Sequence, residues 1–302
     1  GPHDPLFVPA GYQGKYTGTM MQLPANFKPR HPFDHGNFDG RDERLLPWPR
    51  TKTDVLDELA VYYAVIDNID KQVGRLLDQL RADGRLANTV VIYTSDHGES
   101  MGRRGLWGKF TMYEESVAVP LIMAGKDVPQ GETRNDLVTL VDSYPTILEA
   151  VGEPLREFER DLPGDSLWPL AAGEKLDRLA FSEYHAVGSR GASYMVRRGA
   201  HKYIYYVGAP DQLFDLESDP QELNNLADGP GFAELVEDMK GELRTILDPE
   251  AVDDLAKQDQ KDLITRYGGR DAILRRGTFV NSPVPGEDAS FTARKEGGHG
   301  NE

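Results

Sequence analysis

The 302 residues predict an α/β architecture followed by a smaller antiparallel sheet with a helix. Three observations lead there. Leu56, Leu59, Tyr63, Ile66, Ile69, Val73, Leu76, Leu77 and Leu80 recur at three- and four-residue steps, the period of an amphipathic helix. The run Asn88-Thr89-Val90-Val91-Ile92-Tyr93-Thr94 follows with no apolar–polar alternation, as expected of a strand buried on both faces. After about residue 170, short strand-like runs are separated by Gly-containing turns, the pattern of an antiparallel meander.

Residues 1 to about 50 are too rich in proline for long regular elements, with Pro2, Pro5, Pro9, Pro24, Pro29, Pro32, Pro47 and Pro49. Their aromatics, Phe7, Tyr12, Tyr16, Phe27, Phe33, Phe38 and Trp48, favour a packed loop system lining a site over disorder. The long helix starts near Asp54, and Gly84 is a natural stop just beyond it. A second buried strand is predicted over Val119 to Ala124 and a short third at Leu137-Val138-Thr139-Leu140. A helix from Pro145 to Val151 then ends at Gly152. The meander comprises Phe181–Tyr184, Ala192–Arg197 and Lys202–Tyr206, with Gln212–Leu216 as its last strand. Asp219-Pro220 opens a turn, and a helix is predicted from about Gly231 to Leu247. Residues 250–302 hold helix-like stretches and then a polar, Gly-rich tail expected to be mobile.

Composition excludes several function classes. Hydrophobic residues at 39% and charged residues at 28% describe a globular chain rather than a disordered one. There is no run of eighteen apolar residues to form a transmembrane helix. Lys and Arg total 34 against 50 Asp and Glu, a formal charge of −16 that disfavours nucleic acid and anionic membrane as partners. Cysteine is absent, which excludes disulfides, zinc thiolate sites, iron–sulfur clusters and a cysteine nucleophile within these residues.

The residues best suited to chemistry follow the first buried strand. Tyr93-Thr94-Ser95-Asp96-His97-Gly98-Glu99 places a carboxylate and an imidazole side by side at a strand's carboxyl end, where ligands bind in open α/β sheets. Such a pair suits a divalent cation, and it equally suits a helix cap with a packed histidine. Gly98, Gly102, Gly105 and Gly108 then punctuate a loop that ends at Lys109. Arg103, Arg104 and Lys109 make the loop locally basic, fit either to neutralise a tetrahedral anion or simply to be solvated. His185, in a strand-like run beside aromatics, is expected to be a hydrogen-bonded structural residue, and His31 and His35 receive no role. Tyr203, Tyr205 and Tyr206 suggest either a cage for a quaternary ammonium or a packed sheet face, and their strand spacing favours the sheet.

Thr94-Ser95-Asp96-His97-Gly98-Glu99, with Gly102, Lys109, Tyr113-Glu114 and Val119-Pro120-Leu121-Ile122, resembles the sulfatase family of the alkaline-phosphatase-like superfamily. Four further segments agree in order: Pro2-His3-Asp4-Pro5 with Pro9 and Tyr12; Tyr63-Ala64 and Ile69-Asp70 with Val73-Gly74; Val141-Asp142-Ser143-Tyr144-Pro145-Thr146; and Leu213-Phe214-Asp215-Leu216-Glu217 with Asp219-Pro220 and Glu222. Together they cover roughly residues 1–230. Arg104-Gly105-Leu106-Trp107, Ser182-Glu183-Tyr184-His185-Ala186 and the stretch around Gln258-Asp259 look most like choline-sulfatase-like and arylsulfatase-type members.

The resemblance implies an alkaline-phosphatase-like three-layer sandwich and hydrolysis of the sulfate ester of a small organic molecule. The nucleophile of that family is a formylglycine made from Cys or Ser in a Cys/Ser-x-Pro-x-Arg motif, assisted by a divalent metal, usually calcium, with manganese or magnesium as alternatives. Carried over residue by residue, Asp96 and His97 match the metal-binding pair. Lys109 matches the lysine on the sulfate oxygens, and His3 matches the histidine on the sulfate or leaving oxygen. A dianionic transition state needs such a metal and fixed cations around it. This sequence has no Cys, no Ser-x-Pro-x-Arg and none of the paired aspartates that open the family's domain. The resemblance therefore implies the C-terminal part of a sulfatase, with the formylglycine motif on an N-terminal portion.

Residues 1–170 would be the C-terminal portion of the large α/β domain, 171–249 a small α+β subdomain, and 250–302 a helical extension with its tail. Apolar edges of the large domain would be left exposed. Relatives of this type are commonly cytoplasmic and homo-oligomeric. Two alternatives stay open: a phosphonate monoester or phosphodiester hydrolase of the same superfamily, and a truncated remnant without catalysis.

Overall fold

The computed structural model of the chain describes residues 2–4, 6–186 and 188–277. The proline-rich start is irregular, with one short α-helix, α1 (Arg41–Arg44). It packs rather than trails, burying Tyr12 and Phe38, as its aromatic content predicts. The long helix forms as α2 (Lys52–Ala82). Thr51 caps it by accepting from the Asp54 amide, and Gly84 follows its end at φ +70°. Its inner stripe of Val55, Leu59, Ala60 and Ala64 is buried, and Val55 and Leu59 pack on Met101 and Trp107.

Beyond α2, β1 (Val90–Thr94) carries the chain to a long loop that ends in α3 (Glu114–Val117). The chain returns as β2 (Leu121–Gly125), antiparallel to β1, with Val90 opposite Gly125 and Thr94 opposite Leu121. Here the sequence expectation needs correction. Neither strand is buried on both faces: Tyr93 is exposed, and so is Ile122, at 58%. Among the described residues this sheet has two strands, so each keeps an unpaired edge. Exposed apolar side chains continue along α2 at Tyr63, Ile66 and Leu76.

The predicted third strand at Leu137–Leu140 does not form. The buried Asp142 side chain accepts from the Thr139 amide at 2.7 Å and turns Leu140–Asp142 into a 3-10 turn. The same carboxylate takes the Arg178 guanidinium at 2.9 and 2.6 Å. From that turn rises α4 (Ser143–Val151), closed by Gly152 in the left-handed conformation as predicted.

After α5 (Trp168–Ala171) come β3 (Leu179–Tyr184), β4 (Ser193–Arg198), β5 (His201–Tyr206) and β6 (Gln212–Asp215). They form the predicted meander, an antiparallel sheet in the order β3-β4-β5-β6. The period of two sorts its side chains cleanly. Met195, Ile204, Tyr206 and Phe214 pack against Phe38, Leu106, Met112 and Tyr113. Tyr194, Val196, Tyr203 and Leu213 pack against Met239 and Leu243 of α6 (Ala233–Ile246). Tyr203 and Tyr206 therefore belong to opposite packed faces and form no cage. The chain continues through α7 (Pro249–Arg266), capped by Asp248, and α8 (Arg270–Arg276). The tail expected to be mobile lies outside the described residues.

The first of these two cores positions the site. It seats Leu106, Met112 and Tyr113, on the loop between β1 and α3, against the meander.

Candidate active site

The loop leaving β1 carries two groups of polar side chains. Asp96 and His97 stand at the strand's end. The Asp96 carboxylate is 85% exposed, and its Oδ1 accepts from the His97 amide at 3.0 Å. The His97 ring sets Nδ1 at 2.8 Å from the Gly98 carbonyl. A carbonyl only accepts, so Nδ1 carries the hydrogen, and in the neutral ring Nε2 presents a lone pair. That nitrogen lies 3.6 Å from Asp96 Oδ2. Two facing lone pairs repel unless a cation or proton sits between them, which fits this pair to a metal ion. Two donors do not complete a coordination shell. Among the described residues, no three His, Asp or Glu side chains converge closely enough to hold a metal. Gly98 lets the loop leave: a Cβ there would lie 2.1 Å from the Glu115 carbonyl oxygen.

The second group surrounds Lys109. Its Nζ donates to Asp42 Oδ2 at 2.6 Å and lies 3.4 Å from His3 Nε2. His3 Nδ1 sits 2.7 Å from the Asp4 carbonyl, so Nδ1 donates and Nε2 is left to accept from the ammonium. Thus His3 and Lys109, distant in sequence, are brought together, and Asp42 joins them. Burial pushes the Asp42 carboxyl up, but Lys109 and Arg41 outweigh it and hold it below the ordinary value of 3.8.

Glu43, the next residue of α1, is also buried. Its carboxylate accepts from the Trp107 amide at 3.1 and 3.0 Å and from the Gly108 amide at 2.9 Å. It also takes Arg50 Nη2 at 2.7 Å.

Glu99 follows the Asp96–His97 pair on the loop and feels the charges of the second group. Burial pushes its carboxyl up to about 8, against the pull of Lys109 and with help from Asp4, Asp42 and Glu43. That shift favours the protonated carboxyl, and among the described residues its Oε1 is buried without a hydrogen-bond partner.

Sequence reading placed Asp96, His97, Lys109 and His3. It missed Asp42 and Glu43, and it met Glu99 only as a residue of the strand-end motif, with no role. Asp42-Glu43 in a loop-rich segment has the same signature as any solvated acidic pair, so no local signal distinguishes it. The loop's predicted basic character also needs correction. The Arg104 guanidinium is buried over Tyr113 at 4.1 Å and pairs with Glu115 at 3.6 Å and Glu222 at 3.4 Å. It holds the loop to the meander and is not available to an anion. His185 is hydrogen-bonded as expected, with Nε2 3.0 Å from Glu183. His31 sits among Phe33, Phe38 and Tyr113, with burial pushing its ring down to about 3.

The loop after β1 thus carries a strand-end Asp-His pair and a lysine that meets His3 and Asp42. Comparison with known proteins gives the family. Residues 1–153, half of the chain, match the Sulfatase family, and residues 102–248 match the C-terminal region described as N-sulphoglucosamine sulphohydrolase, C-terminal. The chain belongs to the sulfatase family.

It is 36% identical over 197 residues to a choline-sulfatase of Rhizobium meliloti (strain 1021), covering 65% of this chain and 36% of that protein. It is 35% identical over 229 residues to arylsulfatase K of Canis lupus familiaris, covering 72% of this chain and 42% of the relative. The chain thus spans well under half the length of either. Among solved structures, the phosphonate monoester hydrolase of Agrobacterium radiobacter superposes with a TM-score of 0.66 at 26% identity, over 81% of this chain and 54% of that one. The fold is alkaline-phosphatase-like, as the sequence motifs imply.

Proposed function

We propose that these residues form part of a sulfuric ester hydrolase acting on a small organic sulfate. The observation that carries this reading is the Lys109 ammonium, 3.4 Å from His3 Nε2 and anchored on the buried Asp42 carboxylate. Fixed positive charge beside a histidine suits a tetrahedral dianion whose charge grows at the leaving oxygen. Family membership and identity to a choline-sulfatase and an arylsulfatase K support the sulfate ester as the substrate class.

In this reading Asp96 and His97 would hold part of the shell of a divalent cation, calcium first, with manganese and magnesium as alternatives. The remaining ligands and the formylglycine would lie on sequence outside these 302 residues. Once bound, the cation would supply positive charge to the sulfate oxygens, and the formylglycine the nucleophile. The chain's own residues do the rest. Asp42 anchors the Lys109 ammonium at 2.6 Å, and Lys109 binds a sulfate oxygen. His3 would take a proton from solvent water at Nε2 and pass it to the leaving oxygen, which departs as the alcohol.

The test is turnover of matched esters, p-nitrophenyl sulfate against a p-nitrophenyl phosphonate monoester. It uses a protein that contains these residues together with a converted nucleophile and added calcium. Preferential sulfate hydrolysis is expected. Preferential phosphonate hydrolysis would favour the second reading, a phosphonate monoester or phosphodiester hydrolase, which the superposition on the Agrobacterium radiobacter enzyme supports. No turnover of either would leave a non-catalytic remnant.

A further inference from the structure

We propose that Glu43 is a positioning residue for Lys109, acting through the peptide backbone; this rests on the sulfatase reading, in which Lys109 binds the sulfate.

The loop that carries Lys109 has glycine at 98, 102, 105 and 108, so its own chain stiffness does little to fix the lysine. The Ser100 and Met101 amides hold the Gly108 and Trp107 carbonyls at 3.2 Å each, and α1 holds the opposite groups of the same residues. The Glu43 carboxylate receives the amides of Trp107 at 3.1 and 3.0 Å and of Gly108 at 2.9 Å, the two residues directly before Lys109. Arg50 locks that carboxylate from behind at 2.7 Å, and the same guanidinium donates from Nη1 to the Gly105 carbonyl at 2.7 Å. The loop is thereby gripped at both a carbonyl and two amides. The preceding residue of α1, Asp42, takes the Lys109 ammonium itself at 2.6 Å. Two successive carboxylates of one helical turn thus fix the backbone entering Lys109 and the tip of its side chain. Gly108 fits the arrangement tightly, since a Cβ there would come within 3.0 Å of Asp42 Cβ.

A carboxylate suits this role because both of its oxygens only accept. The amide of glutamine has one accepting end, and its NH2 would face either a peptide N–H or the Arg50 guanidinium. Glu43→Gln therefore releases part of the grip while nearly conserving volume.

The test is a double-mutant cycle on sulfate-ester turnover, using Glu43→Gln, Lys109→Ala and the pair, in a protein that contains these residues and hydrolyses a sulfate ester. Unfolding midpoints are measured alongside. Glu43→Gln should lower kcat roughly 10- to 100-fold, the scale of a small misplacement of a catalytic group. In the Lys109→Ala background it should cost less than about twofold, because the group it positions is gone. A wild-type kcat for Glu43→Gln overturns the proposal. So does an equal fold loss in both backgrounds, which would make Glu43 a support of the fold alone. If Glu43→Gln does not fold, Glu43→Asp, shorter by one methylene, is read in the same cycle. A Lys109→Ala protein with wild-type turnover removes the sulfate role of Lys109 and the proposal with it. A Lys109→Ala loss with a silent Glu43→Gln removes the proposal alone.

Discussion

Lys109 and Asp96 lie on one loop and meet opposite surroundings. The lysine side chain is 11% exposed and rests on Asp42, whose own side chain is 5% exposed. The Asp96 carboxylate is 85% exposed, and among the described residues its partners are its immediate neighbours Ser95 and His97. The proposed anion-binding side of the site is assembled within this chain, from three stretches distant in sequence. The proposed metal side has two donors and waits for others. In the proposed function a residue of the first kind would serve both stability and chemistry, and one of the second kind chemistry alone. Substitutions should separate the two.

Asp96→Ala carries the largest expected effect. Metal-dependent activity of a protein that holds the whole site should be abolished, because a cation that has lost a charged ligand is no longer retained. Measured without calcium, so that loss of the bound ion does not enter, the unfolding free energy should change by less than about 0.5 kcal/mol, as for other exposed positions. Calorimetric titration with calcium and a thermal melt check both halves. Undiminished calcium affinity removes Asp96 from the ligand set.

Lys109→Ala should lower turnover roughly 100-fold, as loss of one preorganised charge does. Unlike Asp96→Ala, it should also destabilise, by about 1–3 kcal/mol, because Asp42 stays buried with one partner fewer. A wild-type rate, or an unchanged melt, would place Lys109 with the exposed group. His3→Ala should cost less, roughly tenfold or somewhat more in kcat, the lower range for a proton-transferring side chain. Its contacts, with the Asp4 carbonyl and Lys109, leave little stability to lose. Unchanged kinetics would put His3 outside the pocket.

The sequence showed much of this where the signal was local. Asp54 to Leu80 announced α2 through its period, and the meander announced itself through its turns. Asp96, His97 and Lys109 stand in a motif dense enough to recognise. What failed was non-local. The strand predicted at Leu137–Leu140 has adequate β propensity, and it lost to Asp142, whose carboxylate finds the Thr139 amide, the Asp165 amide and Arg178. The burial expected of β1 depended on neighbours, and the described residues give it β2 alone. Arg104 looked available because its guanidinium's partners, Glu115 and Glu222, are placed by the fold and not by spacing. Asp42 and Glu43 went unnoticed for the same reason.

The smallest expected effect is on acid stability, and it separates the two aspartates. Asp42 has a folded pKa below 3.8: burial raises it, and the Lys109 and Arg41 charges outweigh burial. A depressed carboxyl contributes stability above its unfolded pKa and loses it as pH falls through the folded value. The melting temperature should therefore fall as pH drops through about 3.8 and below, and Asp42→Asn should melt lower than wild type at pH 7. The gap between them should close on acidification, since the wild-type carboxylate is then protonated and its ion pairs are gone. Asp96 is also lowered, with slight burial raising it and His97 and nearby hydrogen bonds pulling it down. Water screens that exposed group, so Asp96→Asn should run parallel to wild type at every pH. A closing gap for Asp96→Asn with a parallel curve for Asp42→Asn would invert the assignment, making the strand-end carboxylate the one the fold depends on.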